Sequence, residues 1–275
     1  MRKILLAFDG KNFSEEALRF VAKLNDKDKI LLTGAFLPQT DYASLWSYSG
    51  GGTSGKTFLP LQEDEDAKEI ENNIKRFVTF CHTNDIKHTV HKDYYDFAIP
   101  ELEKESRYAD LLILSSEHFY EQAGITEMNE YLKEAIHKIE CPVIVIPEKT
   151  MFPDCNILCY DGTRSSVYAI RQFAYLFPEL TDNPTVIFYA KEEAGKEMPE
   201  EQKIRELVDR HFTKVEWWWL QTNPKKNIID WLKEKQAAIV VSGAFGRSDV
   251  SMLFHKSFVA QIISAHFVPV FIAHK

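Results

Sequence analysis

Two stretches 152 residues apart read alike: ILLAFDGKNFSEEALRFVAKL, Ile4–Leu24, and NILCYDGTRSSVYAIRQFAYL, Asn156–Leu176. Asp9-Gly10 falls on Asp161-Gly162, and Ala17, Arg19, Ala22 and Leu24 fall on Ala169, Arg171, Ala174 and Leu176. Each is an apolar run, then Asp-Gly, then apolar residues at helical spacing: a strand, a turn and an amphipathic helix. Two more pairs follow in the same order. YADLLILSS from Tyr108 matches QAAIVVSGA from Gln236, and CPVIVIPE from Cys141 matches VPVFIAHK from Val268, 127 residues on. Three matches in one order mean an internal duplication. The shrinking offset makes the second copy shorter, and the first copy's extra residues gather around 38–60.

Each copy alternates strands with helices. The first predicts strands near 3–8, 30–36, 86–91, 110–114 and 143–147; the second, near 156–160, 185–190, 214–220, 238–242 and 269–273. Helices are predicted at 14–24, 66–83, 129–139, 165–177, 200–212, 225–235 and 257–265. The runs LLIL, VIVI and AIVV are apolar throughout, as parallel strands covered on both faces are. The expected fold is α/β, two open parallel five-stranded sheets with helices on both faces. EKTMFPD, around 148–153, breaks the pattern and divides the chain into domains 1–149 and 150–275.

The chain has 275 residues, 33 basic and 41 acidic, for a net charge of −8. The first 150 residues hold 18 basic and 26 acidic side chains and the remainder 15 of each. An acidic surface repels nucleic-acid backbones, and only the neutral second copy suits an anionic ligand. No apolar run approaches the ~18 residues of a membrane span, and MRKILLAFDG reads as a first strand rather than a leader. The expectation is a cytoplasmic protein without nucleic-acid or membrane partners. Four cysteines, Cys81, Cys141, Cys155 and Cys159, are too few for a disulfide framework and read as buried or half-buried thiols.

GGGTSGKT, Gly50–Thr57, fits G-x-x-x-x-G-K-[ST], yet its context is wrong for a phosphate loop. That loop needs a buried strand before it and a helix directly after. Here DYASLWSYS precedes, and Pro60 and the acids Glu63, Asp64, Glu65 and Asp66 follow, which repel a triphosphate. A Gly/Ser loop that coincides with the pattern is the favoured reading. The stronger segment is GAFGRSDVSMLFHKSFVAQII, from Gly243, which follows AAIVVS and leads into a helix. Gly243 lets the chain turn off the strand, and Gly246 lets backbone approach a ligand. Ser257 reads as an N-cap whose helix end favours an anion, with Arg247 and Lys256 adding charge.

Two such units, each opened by strand–Asp-Gly and closed by strand–Pro-Val, resemble a tandem universal stress protein over nearly the whole chain. The resemblance implies a Rossmann-like fold of the adenine-nucleotide alpha-hydrolase type, strand order 3-2-1-4-5 in each sheet, and a pseudo-twofold arrangement. The family's ATP signature is Gly, two residues, Gly, nine residues, Gly, then Ser or Thr. Gly243, Gly246 and Ser257 match it; Lys256 stands where the third glycine belongs, and its ammonium can meet a phosphate as a point charge. The resemblance further implies that Asp161, with Gly162, lies beside the adenine or ribose, that backbone near Ala190 meets the base, and that Phe258 begins the phosphate-facing helix. With strands one and four adjacent, Asp161 and Gly243 reach one crevice, the switch point where open α/β sheets bind ligands.

Copy one has Ser115-Ser116-Glu117-His118 at the place of Gly243–Gly246, with Glu121, Glu127 and Glu130 beyond. It is expected to be structural or to bind something other than ATP, with Asp9 a turn residue. His88 and His91 point to opposite strand faces and cannot share a metal by spacing alone. No zinc spacing or serine elbow appears. Trp217–Trp219 reads as core or interface packing, since Glu216 argues against base stacking. The resemblance implies that fifth strands pair, giving an internal pseudo-dimer, with a homodimer beyond it. The leading expectation is a stress-response or regulatory protein binding ATP, with Mg accompanying it, and at most slow hydrolysis. A scaffold without nucleotide, and an NTPase working through Gly50–Thr57, stand as the other readings.

Overall fold

The computed structural model describes residues 1–38, 63–92, 98–120, 129–190, 198–220, 231–232, 235, 237–243 and 258–273. The strands are β1 Arg2–Phe8, β2 Ile30–Phe36, β3 Lys87–Lys92, β4 Leu111–Ser115, β5 Val143–Ile146, β6 Cys155–Tyr160, β7 Thr185–Ala190, β8 Val215–Leu220, β9 Ala238–Ser242 and β10 Val270–Ile272. Among the described residues the helices are α1 Glu15–Lys27, α2 Glu63–Thr83, α3 Ala98–Ser106, α4 Glu130–Lys138, α5 Arg164–Leu176, α6 Glu201–His211 and α7 Phe258–Ala265. None is long and apolar enough to cross a membrane.

The strands form one sheet in the order β3-β2-β1-β4-β5-β10-β9-β6-β7-β8. The two expected sheets are thus halves of a single one. They meet where β10 runs antiparallel to β5, Val270 opposite Val145, Phe271 opposite Ile144 and Ile272 opposite Val143. All other pairings are parallel, so the strands of one half run opposite to those of the other.

Register carries the duplication into three dimensions. Ile4 pairs with Leu111 and Asn156 with Ile239, offsets of 152 and 128. Phe8 pairs with Phe36 and Tyr160 with Tyr189, so Leu37 is the counterpart of Ala190 and Ser115 that of Gly243.

Apolar side chains on both faces explain the fold. Ile4, Leu6 and Phe8 enter one core cluster with Phe77, Phe173 and Phe271; Leu5 and Ala7 enter the other with Leu112, Leu132 and Val240. Caps fix helix starts: Ser14 Oγ accepts from Ala17 N at 3.1 Å and Asn129 Oδ1 from Leu132 N at 2.8 Å, satisfying donors that a helix end leaves unpaired. Helix α3 is absent from the sequence reading. Pro100 sits in its first turn, where its missing N–H costs no helical bond, but in a linear pattern it reads as a breaker.

Candidate functional site

In the C-terminal half β6 lies between β7 and β9; α5, which follows β6, packs in one core cluster, and α7, the described helix after β9, packs in the other. Asp161 follows β6 directly and is exposed. Its Oδ1 accepts from Thr163 N at 2.9 Å and Thr163 Oγ1 at 2.6 Å. Thr163 in turn caps α5, accepting from Ser166 N at 3.2 Å. Gly162 has φ +81°, and a Cβ there would lie 2.8 Å from Pro199 Cβ and Cγ. The turn therefore needs glycine for both conformation and space.

Gly243 is demanded for a reason other than a turn. A Cβ on it would lie 2.0 Å from the carbonyl carbon and oxygen of Ser165 and 2.4 Å from Ser166 N. The end of β9 thus packs directly on the first turn of α5, and the structure brings Gly243 together with the Asp161–Thr163 turn. Ala190 ends β7, paired with Leu220, one strand over from Asp161. Gly246, Arg247, Lys256 and Ser257 lie outside the described residues, as do His255 and the Gly50–Thr57 segment; Phe258 opens α7. From the same turn a groove of about 430 Å³ runs between α5 and α6, lined by Arg164, Arg171 and Lys203 among others. Lys203 pairs with Glu200 at 2.5 Å, so the arginines leave the groove cationic.

The N-terminal half has the same architecture and a different filling. Asp9 is buried, 6% exposed. Its carboxylate accepts from Lys11 N at 3.0 Å, Asn12 N at 2.8 Å, Asn12 Nδ2 at 2.7 Å and Tyr120 N at 3.1 Å. Burial raises its pKa, and these donors pull the other way. Asp9 is thus more than the turn residue expected, since Tyr120 reaches it from 111 positions away. Tyr120 is itself buried, stacks on Tyr131 at 4.4 Å and donates its hydroxyl to Leu37 O. Nothing in the spacing announced Tyr120; the signal was the comparison with Ser248, 128 residues on.

The replaced glycine signature of copy one also has a structural role. Ser116 Oγ lies 2.8 Å from His266 Nδ1 and donates to Glu117 Oε2 at 2.5 Å; Glu117 Oε2 accepts from Glu148 N at 3.1 Å. These residues tie the end of β4 to the approach to β10. Among the described residues no group of three or more His, Cys, Asp or Glu is placed to hold a metal. His88 turns toward Phe77 and His82, while His91 meets Glu105 at 2.7 Å. The cysteines are free, and burial pushes the Cys81 and Cys141 thiols up to about 12, far from thiolate chemistry at neutral pH. Trp217 packs on the core and under Arg205, 4.1 Å away; Trp219 is 47% exposed; Trp218 meets Trp231 at 4.8 Å.

No family model matches the chain, and no curated protein matches it. Solved structures do. A universal stress protein from Archaeoglobus fulgidus is 16% identical, with 100% of this chain and 96% of that one covered and a TM-score of 0.74. A putative universal stress protein from Pseudomonas aeruginosa is 12% identical, covering 100% and 93%, with a TM-score of 0.56. A functionally unknown protein from the same species is 11% identical, covering 100% and 92%, also at 0.56. Across its whole length, both halves included, the chain has the fold of universal stress protein structures.

Proposed function

We propose that the chain is a tandem universal stress protein whose C-terminal unit, 150–275, binds ATP or a related nucleotide as a regulatory ligand, Mg accompanying it, while 1–149 serves as partner unit. The observation that carries this reading is the juxtaposition of the Asp161–Thr163 turn with Gly243, at the ends of two adjacent strands whose next described helices, α5 and α7, pack in different core clusters. Such a switch point is where open α/β sheets receive ligands. The exposed Asp161 carboxylate suits ribose hydroxyls, backbone near Ala190 suits the base, and Gly246, Arg247, Lys256, Ser257 and Phe258 suit the phosphates. The cationic groove beside Gly162 supports an anionic ligand.

The test is calorimetric titration with Mg-ATP of the parent chain, Asp161→Ala, Gly246→Asp and Lys56→Ala. Asp161→Ala and Gly246→Asp are expected to weaken binding at least ~10-fold, about 1.4 kcal/mol, with Lys56→Ala unchanged. Loss in Lys56→Ala alone transfers the site to Gly50–Thr57. No heat at millimolar nucleotide leaves a scaffold, for which the exposed Trp219 on edge strand β8 is the natural contact. Gly243 is unsuited to this test, because any side chain there strikes the α5 backbone.

A further inference from the structure

We propose that Tyr120 is an internal ligand, holding in the N-terminal crevice the place that a nucleoside takes in the C-terminal one. The inference rests on the nucleotide reading of the C-terminal crevice for the identity of that ligand. Its geometry is independent of it. Tyr120 N donates to Asp9, the counterpart of Asp161, and its hydroxyl donates to Leu37 O, the counterpart of Ala190. The ring between them lies on Tyr131, 26° from parallel, with Phe119 edge-on at 4.8 Å. One residue therefore spans the ends of β1 and β2 and satisfies an acceptor at each. Take away its side chain, and the crevice offers the Tyr131 face and the Leu37 carbonyl at the end of β2, while the backbone N–H of residue 120 stays on Asp9. That pair of partners matches an aromatic ring that carries a donor at its far edge, as an aminated nucleobase does.

Two further observations support an occupant rather than an ordinary core residue. Tyr120 has φ +54°, a left-handed conformation that is uncommon for a bulky side chain and is held only where the surroundings over-determine it. At the 128-residue offset the sequence has serine, at 248, where copy one has Tyr120.

The experiment is titration with adenosine of Tyr120→Gly and Tyr120→Phe, both in an Asp161→Ala background, beside Asp161→Ala itself. This background weakens the C-terminal crevice, and whatever still binds there is common to all three chains, so the difference between them does not depend on whether that crevice binds. Glycine suits the positive φ, which offsets part of the cavity's cost. Tyr120→Gly is expected to gain one adenosine per chain, at least ~10-fold tighter than the background, while Tyr120→Phe, whose ring still fills the space, gains none. p-Cresol, the group deleted, is expected to raise the melting temperature of Tyr120→Gly alone. A folded Tyr120→Gly that takes p-cresol but not adenosine, or takes neither, overturns the proposal. So does equal adenosine binding by all three chains. Should the glycine variant melt below the assay temperature, Tyr120→Ser, which copies position 248, is judged by the same criteria.

Discussion

Asp9 and Asp161 stand at the same register position and lead different lives. Asp161 is exposed and bonds only its own turn among the described residues; Asp9 is enclosed by four donors. Because burial raises the Asp9 pKa above 3.8, the folded chain binds this proton more tightly than the unfolded chain. The resulting stabilisation is present in full below the ordinary value and is lost as pH rises through the folded one. Urea unfolding from pH 3.5 to 6 is expected to show the parent losing stability relative to Asp9→Asn as pH rises. A parallel course for the two would place the Asp9 carboxyl at its ordinary value. The aspartates themselves were legible in the sequence, since Asp-Gly after an apolar run is local. Their environments were not, because Tyr120 reaches Asp9 through a tertiary contact that no periodicity encodes.

Between elements, one contact governs the C-terminal crevice: Gly243, the first residue after β9, against the first turn of α5. Gly243→Ala places a carbon 2.0 Å from Ser165 backbone, and backbone cannot move aside as a flexible side chain can. Overpacking of this kind costs ~1–3 kcal/mol or more. Gly243→Ala is expected to lower the urea midpoint accordingly, and an unchanged midpoint would deny the close approach. All ten strands were readable to within a residue at each end, because short runs rich in apolar and β-branched residues between turn and helix signals have few other uses. Gly243 was singled out too, though for a turn rather than for packing, since the neighbouring helix is remote in sequence. Helix α3 was lost to Pro100, whose tolerance in a first turn depends on where the helix begins.

At the scale of the whole molecule, the join between halves combines a short antiparallel pairing with packing on both sides. Phe271, opposite Ile144 across the join, is backed within its own half by Phe173 at 5.5 Å and Phe177 at 5.9 Å, and Arg2 crosses from β1 to the end of α5. Its Nη1 donates to Leu176 O and lies 2.7 Å from Glu179 Oε1, while its guanidinium stands 5.5 Å from the Phe177 ring centroid. Both charged side chains are nearly buried, at 11% and 13% exposure, so removing one strands the other. Arg2→Ala is expected to cost about 3 kcal/mol, and Arg2→Met, which keeps the packing, less once Glu179→Gln is added. Calorimetric melting should show the loss in one cooperative transition; two separated transitions would mean that the halves unfold apart. The family resemblance implied a paired fifth strand, but Arg2 and His266 as fasteners carry no sequence mark, being single polar residues in otherwise ordinary segments.

The reversal of strand direction at β5–β10 has a consequence for traffic around the protein. Carboxyl ends of the first five strands point one way and those of the last five point the other, so the two crevices open on opposite rims of one wall. A single small molecule cannot bridge them, and a visitor docked at either mouth leaves the other uncovered.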